Sequence, residues 1–251
     1  MTTIKDILNF TETFAPLCTA ADFDNCGVLV GSTLQEVTKV LLALDITKEV
    51  AEEAKNMGAQ LIISHHPVIF NPLKALTFDS IPYLLAQFGI TALCLHTNLD
   101  IAENCGVNVC LANALSLSDT TLYAEDFLLV GKLPEAMSVQ KFARFVKTRL
   151  GATCVAYTDS KRMLKTLAMC SGAGADFYAL AKEKGADVFL TGEAKHHEYL
   201  DAAACDIPLV TAGHFHTEDV VITPLKEKLS KKFANVEFVK SKVCKNPYFC
   251  V

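Results

Sequence analysis

The chain has 251 residues, enough for one large or two small domains with a true hydrophobic core. Hydrophobic residues make up 51% and charged residues 20%, which excludes a disordered chain, and the absence of Trp makes the core mostly aliphatic. The net charge is −5 and the one lysine cluster, Lys226–Lys232, reads as the solvated face of a helix, so nucleic acid is not an expected partner.

The chain opens on MTTIKDILNFTETF, which lacks the basic start and long apolar run of a secretion signal. No apolar run nears the ~18–20 residues of a membrane span. A cytoplasmic protein without membrane contact is expected. The stretch from Asp22 to Gly31 suits a tight loop, either a turn entering a strand or a loop closing over a pocket. KVLLALD (39–45) predicts a buried strand, followed by a helix over 47–58 with Thr47 as its N-cap and Gly58 as its stop. LIISHH (61–66) predicts a second strand, 79–89 a helix, ITALCLH (90–96) a third strand and 105–115 a helix. Aliphatic strands without alternation, separated by helices, predict an α/β fold whose sheet is covered on both faces.

The second half repeats the rhythm. Residues 133–151 contain an amphipathic helix, and strands are predicted at 153–159, 166–172, 187–192 and 207–213. Helices are predicted over 174–185 and 195–204, then a long one from about Glu218 to Phe233, then a strand over 236–241. No Ser/Gly-rich linker divides the halves. The boundary is placed where the first series ends, near 116–135, giving modules of 1–120 and 121–251. The echo between the halves suggests a pseudo-repeat. The ten cysteines form no CxxC pair and read as reduced, buried small hydrophobes rather than a zinc site.

The histidines carry the chemistry. Five of the seven follow predicted strands: His65-His66, His96 in HTNLD, and His214 and His216 in GHFHTE; His196 and His197 follow VFLTGE. In open α/β sheets ligands bind beyond the carboxyl ends of the strands. Imidazole with carboxylate suits zinc, iron or manganese better than calcium. His214 and Glu218 are four apart, on one face of a first helical turn. Asp100 has two oxygens with which to bridge two ions, and two ions ~3.5–4 Å apart lower the pKa of a shared water toward neutrality. Structural alternatives stand beside each residue. The His pair before Pro67 can cap a strand, Asp100 can be a helix N-cap, and Glu218 can be a first-turn carboxylate favoured by the helix dipole. His96, His196, His197 and His216 read as hydrogen-bonded structural groups or as groups that orient ligands, rather than as ligands themselves. Ser171-Gly172-Ala173-Gly174, between a strand and a helix, can cradle a phosphate, but it lacks full dinucleotide spacing.

With these residues in hand, the chain resembles the YbgI, or Nif-three-like, dinuclear metal centre family, often labelled GTP cyclohydrolase 1 type 2 homologs. The pieces that match are DNCGVLVG, LALDIT, SHHPVIFNPLK, HTNLD, SGAGAD, DVFLTGEAKHH, GHFHTE and NPY, in family order along nearly the whole chain. Phe23 stands where the family usually has Trp, Cys26 where Val is commoner, and the large insertion of longer members is absent. The resemblance implies two related α/β modules with mixed, mostly parallel sheets covered by helices, and a metal site at the C-terminal strand edges between them. It implies His65, His66, Asp100, His214 and Glu218 as ligands of two divalent ions, and a toroidal homo-hexamer.

The function expected on this basis is metal-dependent hydrolysis of a small phosphorylated or nucleotide-like substrate, in the manner of a GTP cyclohydrolase. Glu218, His96 and His216 are the candidate catalytic residues, and His197 a further candidate for orienting ligands or shuttling protons. The alternative class is a non-catalytic metal-binding scaffold, a metal sensor or buffer, or a protein that binds a regulatory partner. A third is a Rossmann-type nucleotide module built on Ser171–Gly174.

Overall fold

The computed structural model describes residues 1–250. In chain order the elements are α1 (Ile4–Thr11), β1 (Gly27–Val30), β2 (Lys39–Ala43), α2 (Lys48–Met57), β3 (Leu61–Ser64), α3 (Ile81–Phe88), β4 (Thr91–Cys94) and the single-turn α4 (Thr97–Asp100). They continue as α5 (Val107–Ala114), β5 (Ser118–Tyr123), β6 (Leu128–Met137), α6 (Val139–Leu150), β7 (Ala156–Tyr157), β8 (Leu164–Met169) and α7 (Tyr178–Glu183). The last are β9 (Val188–Thr191), α8 (His196–Ala204), β10 (Leu209–Thr211), α9 (His214–Glu218), α10 (Ile222–Lys232) and β11 (Glu237–Lys240). Among the described residues no helix is long and apolar enough to cross a membrane.

The chain forms two compact units. The first holds Met1–Cys105 and Ile222–Lys245; the second holds Gly106–Val221 and residues 246–250. The single boundary near residue 120 expected from the sequence therefore differs from the observed path, because α10 and β11 return to the first unit. What brings them back is pairing: β11 runs parallel to β2, from Glu237 opposite Lys39 to Lys240 opposite Leu42.

In the first unit the sheet order is β1-β4-β3-β2-β11, parallel except for the edge strand β1. β3 and β4 are buried at every residue, which is why their sequences lack alternation. Thr47 caps α2 by accepting the Val50 amide, and Gly58, at φ 71°, stops it as the sequence predicts. α2 buries Val50, Ala51 and Ala54 against a core that includes Leu41, Ile62 and Leu85. α1, which the sequence reading passed over, starts with a reciprocal cap between Thr3 and Asp6. The lysine face of α10 is not wholly solvated: Lys228 and Lys232 lie over the rings of Phe14 and Phe10, at 4.8 and 5.6 Å.

In the second unit the order is β5-β6-β8-β9-β10-β7. Only β8, β9 and β10 run parallel, so this sheet is mixed rather than mostly parallel. The β5–β6 hairpin occupies the region assigned to the module boundary. The long helix expected from Glu218 to Phe233 is in fact α9, a short 3-10 turn and α10. Pro224 sits in the first turn of α10, where its missing N–H costs nothing, and marks a fresh start. No disulfide joins any of the ten cysteines, but only Cys94, Cys105, Cys110 and Cys170 are buried; Cys18, Cys154 and Cys250 are exposed, so the reading of buried cysteines holds for part of the set.

Candidate metal centre

The register of each parallel run decides which side chains share an edge. In the first unit Ala43 pairs with Ser64, and Ser64 with Cys94, so β2, β3 and β4 end level. The residues that follow are Asp45, His65-His66 and His96. Main-chain bonds extend the alignment past the strands: the His66 amide donates to Leu44 O at 2.9 Å and the Leu95 amide to Ser64 O at 3.0 Å.

The three imidazoles form a cluster, with ring centroids 5.1 Å apart for His65–His66, 5.0 Å for His65–His96 and 5.5 Å for His66–His96. Each offers one ring nitrogen, and the three lie within 4.8 Å of one another. The opposite nitrogen of each ring meets an oxygen. Nδ1 of His65 donates to Leu95 O at 2.9 Å, that of His66 to Asp45 Oδ1 at 2.7 Å, and that of His96 to Asp24 Oδ1 at 2.8 Å. A proton held on Nδ1 puts the lone pair on Nε2, the arrangement in which histidines ligate metals. His65 Nε2 lies 3.4 Å from Asp100 Oδ1.

Asp24 anchors this edge. Burial opposes its charge, yet His96, the Thr97 hydroxyl and amide, and the Cys26 thiol all donate to it and hold its carboxyl well below the usual carboxylate range. Burial has the opposite consequence for a neighbouring thiol, pushing Cys94 far above its ordinary value. The Asp22–Gly31 segment is therefore more than a turn: it supplies the acceptor that aims His96.

In the second unit β8, β9 and β10 end together, with Met169 opposite Leu190, and Thr191 opposite Thr211. The ladder continues into the glycines, from the Gly192 amide to Gly172 O and from the Gly213 amide to Gly192 O, both at 2.8 Å. Gly213, at φ 89°, turns the chain into α9. Across that single turn His214 Nε2 faces Glu218 Oε2 at 3.0 Å, while Glu193 Oε1 accepts from His214 Nδ1 at 2.6 Å. The buried Thr217 hydroxyl accepts the Gly172 amide at 3.1 Å and ties α9 to the loop after β8. Gly172 has no room for a side chain: a Cβ there would lie 2.1 Å from Glu218 Oε1 and 3.2 Å from His214 Nε2.

The structural alternatives for the two carboxylates do not hold. Asp100 is the last residue of α4, not an N-cap, and Glu218 ends α9 rather than opening it. A negative charge at a helix C-terminus gains nothing from the dipole. Both acids instead face an imidazole Nε2, and Glu218 is only 4% exposed. Nitrogen lone pairs and carboxylate oxygens brought together in this way can hold a divalent cation.

The other sequence candidates fall elsewhere. Among the described residues, neither His196 nor His197 belongs to a group able to hold a metal; both are exposed on the first turn of α8. His216 is two residues from His214, so it points to another face of α9. It is half-buried, and burial lowers its pKa while Asp219 opposes the shift. The phosphate reading of Ser171–Gly174 loses its donors, because the amides of Ser171, Gly172 and Gly174 are bound to Asn108 Oδ1, Thr217 Oγ1 and Thr191 Oγ1. The residues that sequence reasoning missed are Asp24, Asp45 and Glu193. Their signal was present as acids directly after apolar runs, in LLALD and VFLTGE, and in the DN pair before Cys26.

The family model described as Duf34/NIF3 (NGG1p interacting factor 3) matches residues 2–247. The chain is similar to a Clostridium perfringens protein named GTP cyclohydrolase 1 type 2 homolog, 33% identical over 98% of both chains. It is also similar to a Helicobacter pylori protein named GTP cyclohydrolase 1 type 2, at 30% identity over 87% of this chain and 88% of the relative. Among solved structures, a Staphylococcus aureus protein superposes with a TM-score of 0.93 at 28% identity, covering 100% of this chain and 99% of the other.

Proposed function

The chain belongs to the Duf34/NIF3 family, and from that footing we propose that it is a metal-dependent hydrolase acting on a small phosphorylated or nucleotide-like substrate. In this reading His65, His66, Asp100, His214 and Glu218 hold two divalent ions, of zinc, iron or manganese. The observation that carries it is the common pose of four imidazoles, those of His65, His66, His96 and His214. Each turns Nδ1 to a carbonyl or carboxylate oxygen and so presents Nε2 as a donor. Gly172 adds support, since its lack of a side chain lets Glu218 and His214 sit where they do.

Bound ions would supply Lewis acidity and a water acidified toward neutral pH. The protein's own groups handle the protons. His96, backed by the buried carboxylate of Asp24, accepts a proton at Nε2 and shares the resulting charge with its partner, as an acid–histidine pair does in general base catalysis. Glu218 would help hold the metal through its buried carboxylate, which faces His214 Nε2. His216, half-buried on another face of α9, is a further candidate for orienting ligands or moving protons. The names of the Clostridium perfringens and Helicobacter pylori relatives make GTP a substrate to try first. A toroidal homo-hexamer is part of the same proposal.

The test is elemental analysis of purified protein, followed by turnover assays of the loaded and stripped forms on GTP, other nucleotides, phosphoesters and cyclic amides. Two metals per chain and metal-dependent turnover of one class are expected. Glu218→Gln should abolish turnover and leave the oligomer, measured by light scattering, unchanged. A protein that refuses zinc, manganese and iron alike would end the reading.

A further inference from the structure

Between β3 and α3 the chain runs from His65 to Ser80 without helix or strand, and residues 70–79 are exposed throughout. Loops of this length inside a compact unit usually serve a site. This one carries exposed apolar side chains, Leu73, Leu76 and Phe78 among them. Beside the histidine cluster Asn25 Nδ2 donates to its Ile69 O at 2.6 Å. The next residue, Phe70, is 45% exposed and stands edge-on to His96, with centroids 6.5 Å apart and planes at 78°. The segment that supplies Asn25 also supplies Asp24, the acceptor for His96 Nδ1. One short strap thus fixes both the imidazole and the ring beside it. Sites for small ligands combine an apolar wall with a few aimed polar groups. Here the cluster is the polar part, and Phe70 is an aromatic face held next to it.

We propose that Phe70 is the stacking platform for the planar heteroaromatic ring of the substrate. It selects a phosphate that carries a nucleobase over a simple phosphoester. This rests on the hydrolase reading above for the place of the reaction, and adds the residue that sets the substrate class. Stacking accepts any base because every base has a π face. The platform therefore selects for an aromatic ring and not for guanine over adenine.

The chain contains no Trp, so Phe70→Trp would carry the sole indole of the protein. Zinc-loaded Phe70→Trp is titrated with GTP, ATP and inorganic triphosphate, with free N-acetyltryptophanamide correcting for absorption. A saturable loss of about half the emission is expected with either nucleotide, and none with triphosphate. In equilibrium dialysis with the otherwise native chain, Phe70→Leu should bind GTP about tenfold more weakly and Phe70→Tyr as the native protein does. Equal quenching by triphosphate, or undiminished GTP binding by Phe70→Leu, overturns the proposal. So does an emission shift that grows with protein concentration in the absence of nucleotide, which would assign the ring to contact between copies. Metal content is measured on the same samples. Quenching by nucleotides in a protein that takes up no zinc would uphold Phe70 and sink the metal reading; zinc uptake without quenching would do the reverse.

Discussion

Gly172 and Gly151 share φ +62°, and this allows the packing behind Glu218 to be measured. At Gly151 a Cβ would meet nothing within 4 Å, so Gly151→Ala adds only left-handed backbone strain. That strain is about 1 kcal/mol net of the entropy lost by the unfolded chain, or roughly 3 °C of melting temperature in a chain of this size. At Gly172 the same Cβ would lie 2.1 Å from Glu218 Oε1, whereas ordinary contact begins at 3.4 Å, so something must move by the difference of 1.3 Å. The carboxylate is buried, and its other oxygen is 3.0 Å from His214 Nε2, so the movement breaks that approach. Overpacking of this kind adds about 1–3 kcal/mol, bringing the total for Gly172→Ala to about 2–4 kcal/mol, or roughly 6–12 °C. Zinc affinity by isothermal titration should fall about 10–100-fold in Gly172→Ala and stay unchanged in Gly151→Ala. Should the two variants melt together and bind zinc equally, the close fit between Gly172 and Glu218 would have no bearing on the site.

Asp24→Ala removes the acceptor for His96 Nδ1 and for both the Thr97 amide and hydroxyl, and should cost about 3 kcal/mol in urea unfolding; Asp24→Asn, which keeps an oxygen, should cost at least about 1 kcal/mol less. Asp45 and Glu193 are more exposed, so Asp45→Asn and Glu193→Gln should leave the melting temperature within about 2 °C. Each should still weaken metal binding about tenfold by freeing the ring of His66 or His214, and unchanged affinity would deny them a positioning role. Stripping metal with a chelator should lower the melting point by about 5–10 °C relative to protein at a hundredfold excess of zinc over its dissociation constant, since saturation at that level contributes about 2.7 kcal/mol.

Much of the first unit was legible because β2, β3 and β4 are mostly apolar without alternation and α2 carries an ordinary cap and stop, as in KVLLA, LIIS and the Thr47–Gly58 helix. The histidines at strand ends were legible for the same reason: once the strands are found, their carboxyl ends are known. The β5–β6 hairpin was not. β5, SDTTLY, is a largely exposed edge strand with no apolar face to reveal it, and β6 contains Gly131 and Pro134, which read as a prelude to α6. β7 shrank to two exposed residues, Ala156 and Tyr157, because it pairs only along one side of β10. The carboxylates of Asp24, Asp45 and Glu193 were plain in the sequence, but which nitrogen of which ring each would meet depends on strand register. Periodicity sets the face of a strand and leaves the register of distant partners open. The pairing of β11 with β2, across nearly two hundred residues, has no local signature at all.

That last pairing bears on synthesis. The second unit is spliced into the first, so while a ribosome makes the chain, β2 is finished nearly two hundred residues before β11. In the interval the outer edge of Lys39–Ala43 is an unpaired, aliphatic strand, the kind that recruits other nascent chains. Residues 106–221, by contrast, emerge as one uninterrupted block and can complete their own sheet first. The protein is therefore expected to depend on holding chaperones until Lys240 has left the tunnel, and a truncation after Val221 should accumulate as insoluble material even though the second unit is almost whole.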